Sequence, residues 1–179
     1  MTNEELLRFC AANEGLRVER DQTGELIVMT PTGAESGGRN SDINIDLGIW
    51  ARGDGRGKVF DSSTGFILPD GSMRSADVAW MLYTRWNALS REEKRGFAPL
   101  CPDFVIELRS PSDSIPDLEA KMQQWISNGA QVAWLIDPER EVVAIYRPNE
   151  APEIYNHPTS VQATGVIAGF ELVMGRIWQ

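Results

Sequence analysis

Three polar residues occupy positions where the hydrophobic pattern calls for apolar side chains. Glu107 lies inside the apolar run 104–108, and Asp77 begins a second apolar run that ends at Leu82. A buried carboxylate is unfavourable unless a cation, a hydrogen-bond network or a metal ion compensates its charge. Lys121 is the third residue, because it lies at the edge of the apolar stripe that a helix would present to the core. That stripe consists of Leu118, Met122, Trp125 and Ile126.

These residue types suit metal-assisted hydrolysis of a phosphodiester bond. If Asp77 and Glu107 come from neighbouring strands, their carboxylates can bind one divalent cation and leave positions open for water. Such a cation polarises the phosphate and lowers the pKa of the attacking water. Lys121, from the following helix, would orient that water or stabilise developing negative charge.

Other catalytic chemistries have few residues to draw on. The chain contains two cysteines, Cys10 and Cys101, and one histidine, His157. These three residues cannot form a disulfide framework or a four-ligand zinc site. His157 lies in an Asn-His-Pro segment typical of a loop, which disfavours a triad built on it. Any bound metal is therefore expected to be a hard cation held by carboxylates, Mg²⁺ or Mn²⁺.

The elements that must position these residues follow from pattern. Capping boxes at Thr2 and Ser90 predict an N-terminal helix that ends near Gly15 and a short helix within 89–96. Turn-like residues at 21–24 predict a hairpin of 16–20 with 25–29. A second helix is predicted over 42–52 and another over 116–128. Strands are predicted at 58–61, 65–68, 77–82, 104–108, 132–136 and 141–146, followed by a loop-rich tail from Arg147 with one or two more strands.

The strand–helix–strand unit between Phe104 and Ile136 is a crossover, which implies a parallel pair within a sheet whose hairpins are antiparallel. The predicted fold class is α/β (α+β), a mixed central sheet flanked by helices with an N-terminal helix and hairpin. The length of 179 residues suits a single domain over 1–179.

The net charge of −9 opposes nucleic-acid binding, because duplex DNA repels an acidic surface. A local basic patch can be hidden in that average, and an acidic metal site adds to the negative count. No apolar stretch is long enough to cross a bilayer, and no export signal is visible, so a cytoplasmic location is expected.

The run 102–114, Pro-Asp-Phe-Val-Ile-Glu-Leu-Arg-Ser-Pro-Ser-Asp-Ser, resembles the signature of the bacterial Uma-two family of putative restriction endonucleases. The continuation also fits, with Asp117, Lys121, Trp125 and the segments 128–130 and 134–138. This family is a branch of the PD-(D/E)XK nuclease-like superfamily, and the resemblance covers 24 to about 146. It implies a restriction-endonuclease-like fold that acts on DNA, with a homodimer favoured because duplex cleavage needs two cuts.

The resemblance also implies a set of site residues. Asp77 and Glu107 would be the metal-binding acids, Lys121 the catalytic lysine and Glu35 an additional glutamate from the helix before the hairpin. In the superfamily's usual pattern the lysine lies two residues after the glutamate, and that position is Arg109 here. Arginine does not deprotonate water, but it can bind a phosphate through two hydrogen bonds, so Arg109 is a candidate substrate-binding residue.

Each of these residues also has a purely structural interpretation. Glu107 can be a hydrogen-bonded structural acid, Lys121 half of a surface pair with Asp117, and Arg109 a counter-charge to Glu107 or Asp103. Asp77 can be a turn acid at the start of its strand and Glu35 a helix-start acid. Three hypotheses remain open: a divalent-metal-dependent endonuclease, a catalytically inactive nuclease-like module for binding or assembly, and a small-molecule enzyme that uses Cys101 or His157.

Overall fold

The computed structural model describes residues 1–179 as a mixed α/β fold around a six-stranded sheet. The helices are α1 (Asn3–Ala12), α2 (Ala34–Asp54), α3 (Tyr83–Ala88), α4 (Arg91–Arg95) and α5 (Ile115–Ser127). The strands are β1 (Arg17–Arg20), β2 (Leu26–Met29), β3 (Gly57–Asp61), β4 (Phe66–Ile67), β5 (Met73–Arg74), β6 (Val78–Leu82), β7 (Phe104–Leu108), β8 (Val132–Asp137), β9 (Val142–Tyr146), β10 (Glu153–Asn156), β11 (Ser160–Gln162) and β12 (Glu171–Val173). The predicted fold class is confirmed.

The central sheet has the strand order β10-β9-β8-β7-β6-β3. Only β7 and β8 are parallel, with Phe104 opposite Val132 and Leu108 opposite Ile136. Helix α5 connects them, so the predicted crossover unit is confirmed. Glu107 therefore lies near the carboxyl end of β7, where the chain leaves the sheet and turns toward α5.

Two hydrophobic cores cover the two faces of this sheet because side chains alternate along each strand. One core holds Ile43 and Leu47 of α2, Trp80 and Phe104 of the sheet, and Phe170 of the C-terminal segment. The other core packs α5 against the opposite face and includes Val105, Met122, Trp125, Ala133 and Leu135. Glu107 is on the α5 side, like Val105 two residues before it.

A second sheet, of order β2-β1-β5-β4, carries the N-terminal hairpin. The hairpin is antiparallel with Arg20 opposite Leu26, as predicted. Helix α1 begins with the predicted capping box between Thr2 and Glu5, and α4 begins with the one between Ser90 and Glu93. The strands of this sheet come earlier in the sequence than the β7–α5–β8 crossover. In the fold, however, β1 and β5 bring polar residues to the α5 side of the central sheet.

Helix α3 and strand β5 were not predicted from the sequence, and two further regions differ from the prediction. Helix α2 begins eight residues before the predicted body of the helix and runs through Gly37 and Gly38. Buried Ser36 at its start and Ile43, Leu47 and Ala51 along it provide tertiary packing that outweighs the low helix propensity of glycine. The tail forms three strands and two 3₁₀ turns, because Val161, Phe170, Leu172 and Met174 are core residues.

No helix in the structure is both long and apolar enough to span a membrane.

Candidate active site

Glu107 is the centre of a buried polar cluster on the α5 side of the sheet. Only 3% of the residue is exposed. Its Oε1 accepts a hydrogen bond from Trp125 Nε1 at 2.8 Å and lies 3.0 Å from Lys121 Nζ. Trp125 and Lys121 are one turn apart on α5, so a single helix face supplies both partners. No hydrogen bond reaches Oε2 of Glu107.

Lys121 is shared among three oxygen atoms. Besides Glu107, its ammonium donates to Glu19 Oε1 at 3.1 Å and to the Ser75 carbonyl at 3.1 Å. It therefore lies inside the polar cluster rather than in a surface pair with Asp117. The predicted proximity of Lys121 to Glu107 is present in the structure.

Glu19 of β1 is a member of this cluster that the sequence analysis did not select. Its carboxylate is almost fully buried and also accepts hydrogen bonds from Arg74 Nη1 at 2.8 Å and from the Ser75 backbone N–H at 3.1 Å. Arg74 is held in turn by Gln124 of α5. Glu19 thus links the N-terminal hairpin, the β5 strand and helix α5 at one point.

Asp77 precedes β6 and lies at the neighbouring strand end. Val78 is opposite Ile106 in the antiparallel pair of β6 with β7, which brings Asp77 beside Glu107. Its Oδ2 accepts a hydrogen bond from the Leu108 N–H at 2.8 Å, and its Oδ1 accepts one from Asn40 Nδ2 at 3.2 Å. The structure therefore brings Asp77, Glu107 and Lys121 together, as the sequence predicted.

The cluster carries more negative than positive charge: three carboxylates (Glu19, Asp77 and Glu107) face Lys121 and Arg74. Burial raises the pKa of Glu107 to about 7; the attraction of Lys121 opposes this rise, and the negative charges of Asp77 and Glu19 add to it. Burial also raises the pKa of Asp77.

Lys121 and Glu19 are held in their charged forms. Burial alone would lower the pKa of Lys121, but Glu107, Glu19 and Asp77 outweigh it and the pKa is raised. Burial alone would likewise raise the pKa of Glu19, but Lys121 and Arg74 outweigh it and the pKa is lowered. Lys121 is therefore a cation at neutral pH. Glu107, with a pKa of about 7, is the member of the cluster that gains or loses its proton near neutral pH.

Two openings reach the cluster from solvent. Asp77 lines a polar cavity of about 300 Å³ together with Ser36, Asn40 and Ser110. Lys121 and Glu19 line a wider groove of about 900 Å³. Solvent or a polar ligand can therefore approach Asp77 from the α2 side and Lys121 and Glu19 from the hairpin side, whereas Glu107 lines neither opening.

Two residues predicted by resemblance lie outside this cluster. The Glu35 side chain is 69% exposed and pairs with Arg39 at 2.6 Å, one turn further along α2. Arg109 pairs with Asp137 at 3.1 Å and with Glu139 at 2.7 Å. Its counter-charges are thus neither Glu107 nor Asp103, and Asp103 pairs with Arg85 instead.

The carboxylates can be compared with what a hard cation requires. No group of three or more His, Cys, Asp or Glu side chains is arranged to hold a metal ion. Mg²⁺, however, commonly binds through one or two carboxylates and keeps several water or phosphate ligands. Asp77 and Glu107 offer that pair, with Glu107 Oε2 free of hydrogen bonds and a surplus negative charge that a cation would neutralise. The two acids fit a cation that fills its remaining positions with solvent or substrate oxygen.

Comparison with known proteins identifies the family of the chain. The sequence profile of the Uma-two family, described as putative restriction endonucleases, matches residues 3–175. The chain belongs to the Uma-two family. No protein in the curated set matches it.

Among solved structures, this Uma-two chain is similar to a crystal structure of a putative nuclease of the DUF820 group from Anabaena variabilis. The TM-score is 0.76 and the identity is 19%, over 90% of this chain and 89% of the other. This likeness supports the fold. The resemblance seen in the motif residues of this Uma-two chain is thus confirmed over almost its full length.

Two signals in the sequence pointed to the residues that were missed. Glu19 lies next to Val18 in a short strand, as a charge in a segment expected to pack, just as Glu107 does. Trp125 follows Lys121 by four residues in the apolar stripe of α5, and its ring nitrogen is a hydrogen-bond donor that can reach a carboxylate. The distant contact of Glu19 with Lys121, 102 residues apart, has no local signal.

Proposed function

We propose that this chain is a divalent-metal-dependent endonuclease that hydrolyses phosphodiester bonds in DNA. Asp77 and Glu107 would bind Mg²⁺ or Mn²⁺, and Lys121 would act at the reacting phosphate. The observation that carries the proposal is the buried contact of Lys121 with Glu107, beside Asp77 at the end of the neighbouring strand. Membership of a family of putative restriction endonucleases supports the nuclease class.

The electrostatics of the cluster support a cationic ligand. Glu107 has a pKa of about 7 because its burial and the nearby acids outweigh the attraction of Lys121. A divalent cation between Asp77 and Glu107 would favour the ionised carboxylate and remove this imbalance. When bound, such a cation supplies Lewis-acid polarisation of the phosphate and a more acidic water.

Residues of the chain itself would position the reacting groups and stabilise charge. Lys121 keeps its proton at neutral pH, so it would supply positive charge beside the reacting phosphate rather than accept a proton. Its three N–H donors face Glu107, Glu19 and the Ser75 carbonyl, so a hydrogen bond to a phosphate oxygen would replace the contact with Glu107 once a cation neutralises that carboxylate. Glu19 and the Ser75 carbonyl fix the position of its ammonium. Trp125 donates a hydrogen bond to one oxygen of Glu107, and the other oxygen, which accepts no hydrogen bond within the chain, would be the one available to a cation. Glu19 is therefore proposed as a positioning residue.

The substrate would approach along the openings beside the cluster. Ser36, Asn40, Ser110 and Arg17 line the smaller cavity with Asp77, and their hydroxyl, amide and guanidinium groups are the donors that phosphate oxygens accept. These donors offset part of the repulsion expected from the net charge of −9.

A plasmid-nicking assay tests the proposal. We expect Mg²⁺- or Mn²⁺-dependent cleavage by the wild-type chain, and loss of at least about a hundredfold in Asp77→Asn, Glu107→Gln and Lys121→Met, because each removes a proposed metal ligand or the positive charge beside the reacting phosphate. Glu119→Gln on the exposed side of α5 is the matched control for the acids. Undiminished cleavage by Glu107→Gln, with its fold verified by circular dichroism, contradicts the proposal.

A second function is favoured by two specific observations. The position two residues after Glu107 is Arg109, which is engaged by Asp137 and Glu139, and no three-ligand metal set is arranged. Both features suit a catalytically inactive nuclease-like module that binds or assembles. Calorimetric titration with Mg²⁺ or Mn²⁺ separates the two functions: binding that Glu107→Gln abolishes supports the enzyme, and no binding at millimolar metal supports the module.

A further inference from the structure

Strand β3 leaves one edge of the central sheet open. It is the last strand in the sheet order and pairs only with β6. The Tyr83 N–H donates to the Arg56 carbonyl, so Arg56 belongs to a hydrogen-bonded pair of the antiparallel ladder. Lys58 and Phe60, at every second position after it, then also bond to β6. Residues of such a ladder alternate between bonding the partner and facing away from it. Gly57, Val59 and Asp61 therefore direct their backbone N–H and C=O groups outward, and of these the Asp61 carbonyl accepts a bond from Thr64.

Helix α2 places an apolar ridge beside this edge. Ile45 and Ile49 are one turn apart and are 53% and 66% exposed. Together with Val59 and Tyr83 they line a groove of about 600 Å³ between α2 and β3. Two exposed isoleucines next to an unpaired strand edge form the type of surface that soluble monomers normally protect.

The opposite edge of the same sheet is protected. Strand β10 is bounded by Pro152 and Pro158, and its Glu153 side chain is held by Arg147 and Tyr155. Proline and charged residues are common means of preventing edge pairing. Strand β3 has no proline within or beside it. It does carry Lys58, whose ammonium lies over the Phe60 and Trp86 rings, so the two edges differ in their prolines rather than in the presence of charge.

The geometry of β3 matches a second copy of itself. In an antiparallel pairing centred on Val59, Val59 faces its own counterpart and Gly57 faces Asp61 of the partner subunit. All three outward-facing residues of each strand then meet outward-facing residues of the other, which is the condition for a continuous ladder. A two-fold axis through Val59 produces this pairing and brings the two Ile45–Ile49 ridges toward each other.

Charge supports the same arrangement. Arg52 lies on α2 near the start of β3 and lines the same groove as Asp61 at the end of the strand. Antiparallel pairing places the start of one strand beside the end of the other, so each Arg52 would meet the partner's Asp61. The Oδ1 atom of Asp61 is used by Ser63 and Thr64, whereas Oδ2 accepts no hydrogen bond within the chain.

We propose that this chain forms a two-fold homodimer through the β3 edge, with the Ile45–Ile49 ridges packed across the axis and the two central sheets joined into one. The proposal does not depend on nuclease activity, since it rests on the open strand edge, the apolar ridge and the complementary charges. A strand from an unrelated protein would lack the paired Arg52–Asp61 contacts that a second copy supplies twice.

Light scattering coupled to size-exclusion chromatography tests the dimer. We expect the wild-type chain to have twice the 19.9 kDa mass of one chain. Ile49→Lys places two charges in the interface per dimer and should weaken association about a hundredfold, a factor of roughly ten for each side chain. Ile154→Lys, an exposed isoleucine on the β10 edge, is the matched control and should leave the mass unchanged. A monomeric wild type across the dilution series, or a dimer lost in Ile154→Lys but not in Ile49→Lys, overturns the proposal.

Cysteine trapping tests the register independently of any effect on folding. In a Cys10→Ser background, Val59→Cys should form a disulfide-linked dimer on mild oxidation, because a directly opposed antiparallel pair lies about 5.5 Å apart between Cα atoms. Ile154→Cys is the control and should remain monomeric under denaturing, non-reducing conditions. The edge of β2, with exposed Ile27 and Val28, is the competing surface. Cross-linking of Val28→Cys without that of Val59→Cys overturns the assignment to β3.

Discussion

Replacing Glu107 with glutamine is expected to raise the free energy of unfolding, relative to that of the wild type, as the pH rises. The substitution keeps the size of the side chain and its ability to accept the hydrogen bond of Trp125, but removes the titrating charge. Because burial raises the pKa of Glu107 from an ordinary value of 4.5 to about 7, the folded state binds this proton more tightly than the unfolded state does.

The sign and size of the effect follow from that difference. A carboxyl group with a raised folded-state pKa contributes its full stability below the unfolded value, loses it progressively as pH rises from 4.5 to about 7, and is constant above that range. At about 1.4 kcal/mol for each pH unit of difference, the loss amounts to roughly 3 kcal/mol. Glu107→Gln does not undergo this loss.

Urea denaturation of both proteins between pH 4.5 and 8, without divalent metal, measures the effect. Most other titrating groups are common to both proteins, so their contributions largely cancel in the difference between the two unfolding free energies. That difference should shift by about 3 kcal/mol in favour of Glu107→Gln as pH rises. Glu19→Gln is the matched control: burial alone would raise the pKa of Glu19, but Lys121 and Arg74 lower it from 4.5, so the contribution of its own charge is lost only below pH 4.5 and the difference for this variant should change far less between pH 4.5 and 8. A difference for Glu107→Gln that does not vary with pH refutes the account of the buried charge.

Three further outcomes are expected. Trp125→Phe removes the hydrogen bond to Glu107 and should cost about 2 kcal/mol more in unfolding free energy than Trp80→Phe, because Trp80 Nε1 is buried without a partner and loses no bond; equal costs in denaturation would contradict this. Asp70→Asn should destabilise the protein by about 1 kcal/mol at neutral pH, after allowance for solvent screening. Burial alone would raise the pKa of Asp70, but hydrogen bonds from Gln124, Ser72 and Asn128 lower it to about 2, so the difference should disappear in denaturation curves as pH falls from 3.8 toward 2. Millimolar Mg²⁺ should raise the melting temperature more at pH 8 than at pH 5.5, since Glu107 must lose its proton to bind it; an equal shift in Asp77→Asn would contradict the proposed ligands.

The part of the fold that sequence could predict is the part built from local signals. The apolar run of β7, the stripe on α5 and the apolar run of β8 are each readable from the residues alone. Handedness and crossover rules then place α5 over the sheet. Glu107 and Lys121 meet because each departs from one of these patterns at the same end of the same unit. Asp77 joins them because β6 pairs with β7.

The rest depends on contacts between segments that are distant in sequence. Glu19 reaches Lys121 only because the N-terminal hairpin packs beside α5 through β5, and no periodicity of β1 encodes that position. Helix α2 extends through Gly37 and Gly38 because its buried face packs on the sheet, which outweighs local propensity. The tail forms strands because it covers an apolar face that would otherwise be exposed.

In the proposed active site, Lys121 of α5 takes the role that the resemblance assigns to a lysine two residues after Glu107, where this chain has Arg109. Arg109 donates its backbone N–H to the Ile136 carbonyl, and its guanidinium turns toward Asp137 and Glu139 at the end of β8. A cation at that point cannot also compensate Glu107. The ammonium from α5 takes this role and is held by Glu19 and Ser75, which a lysine on the strand itself would not need. Glu19, the third carboxylate of the cluster, holds the Lys121 ammonium, and the negative charge that remains favours the divalent cation of the proposed function.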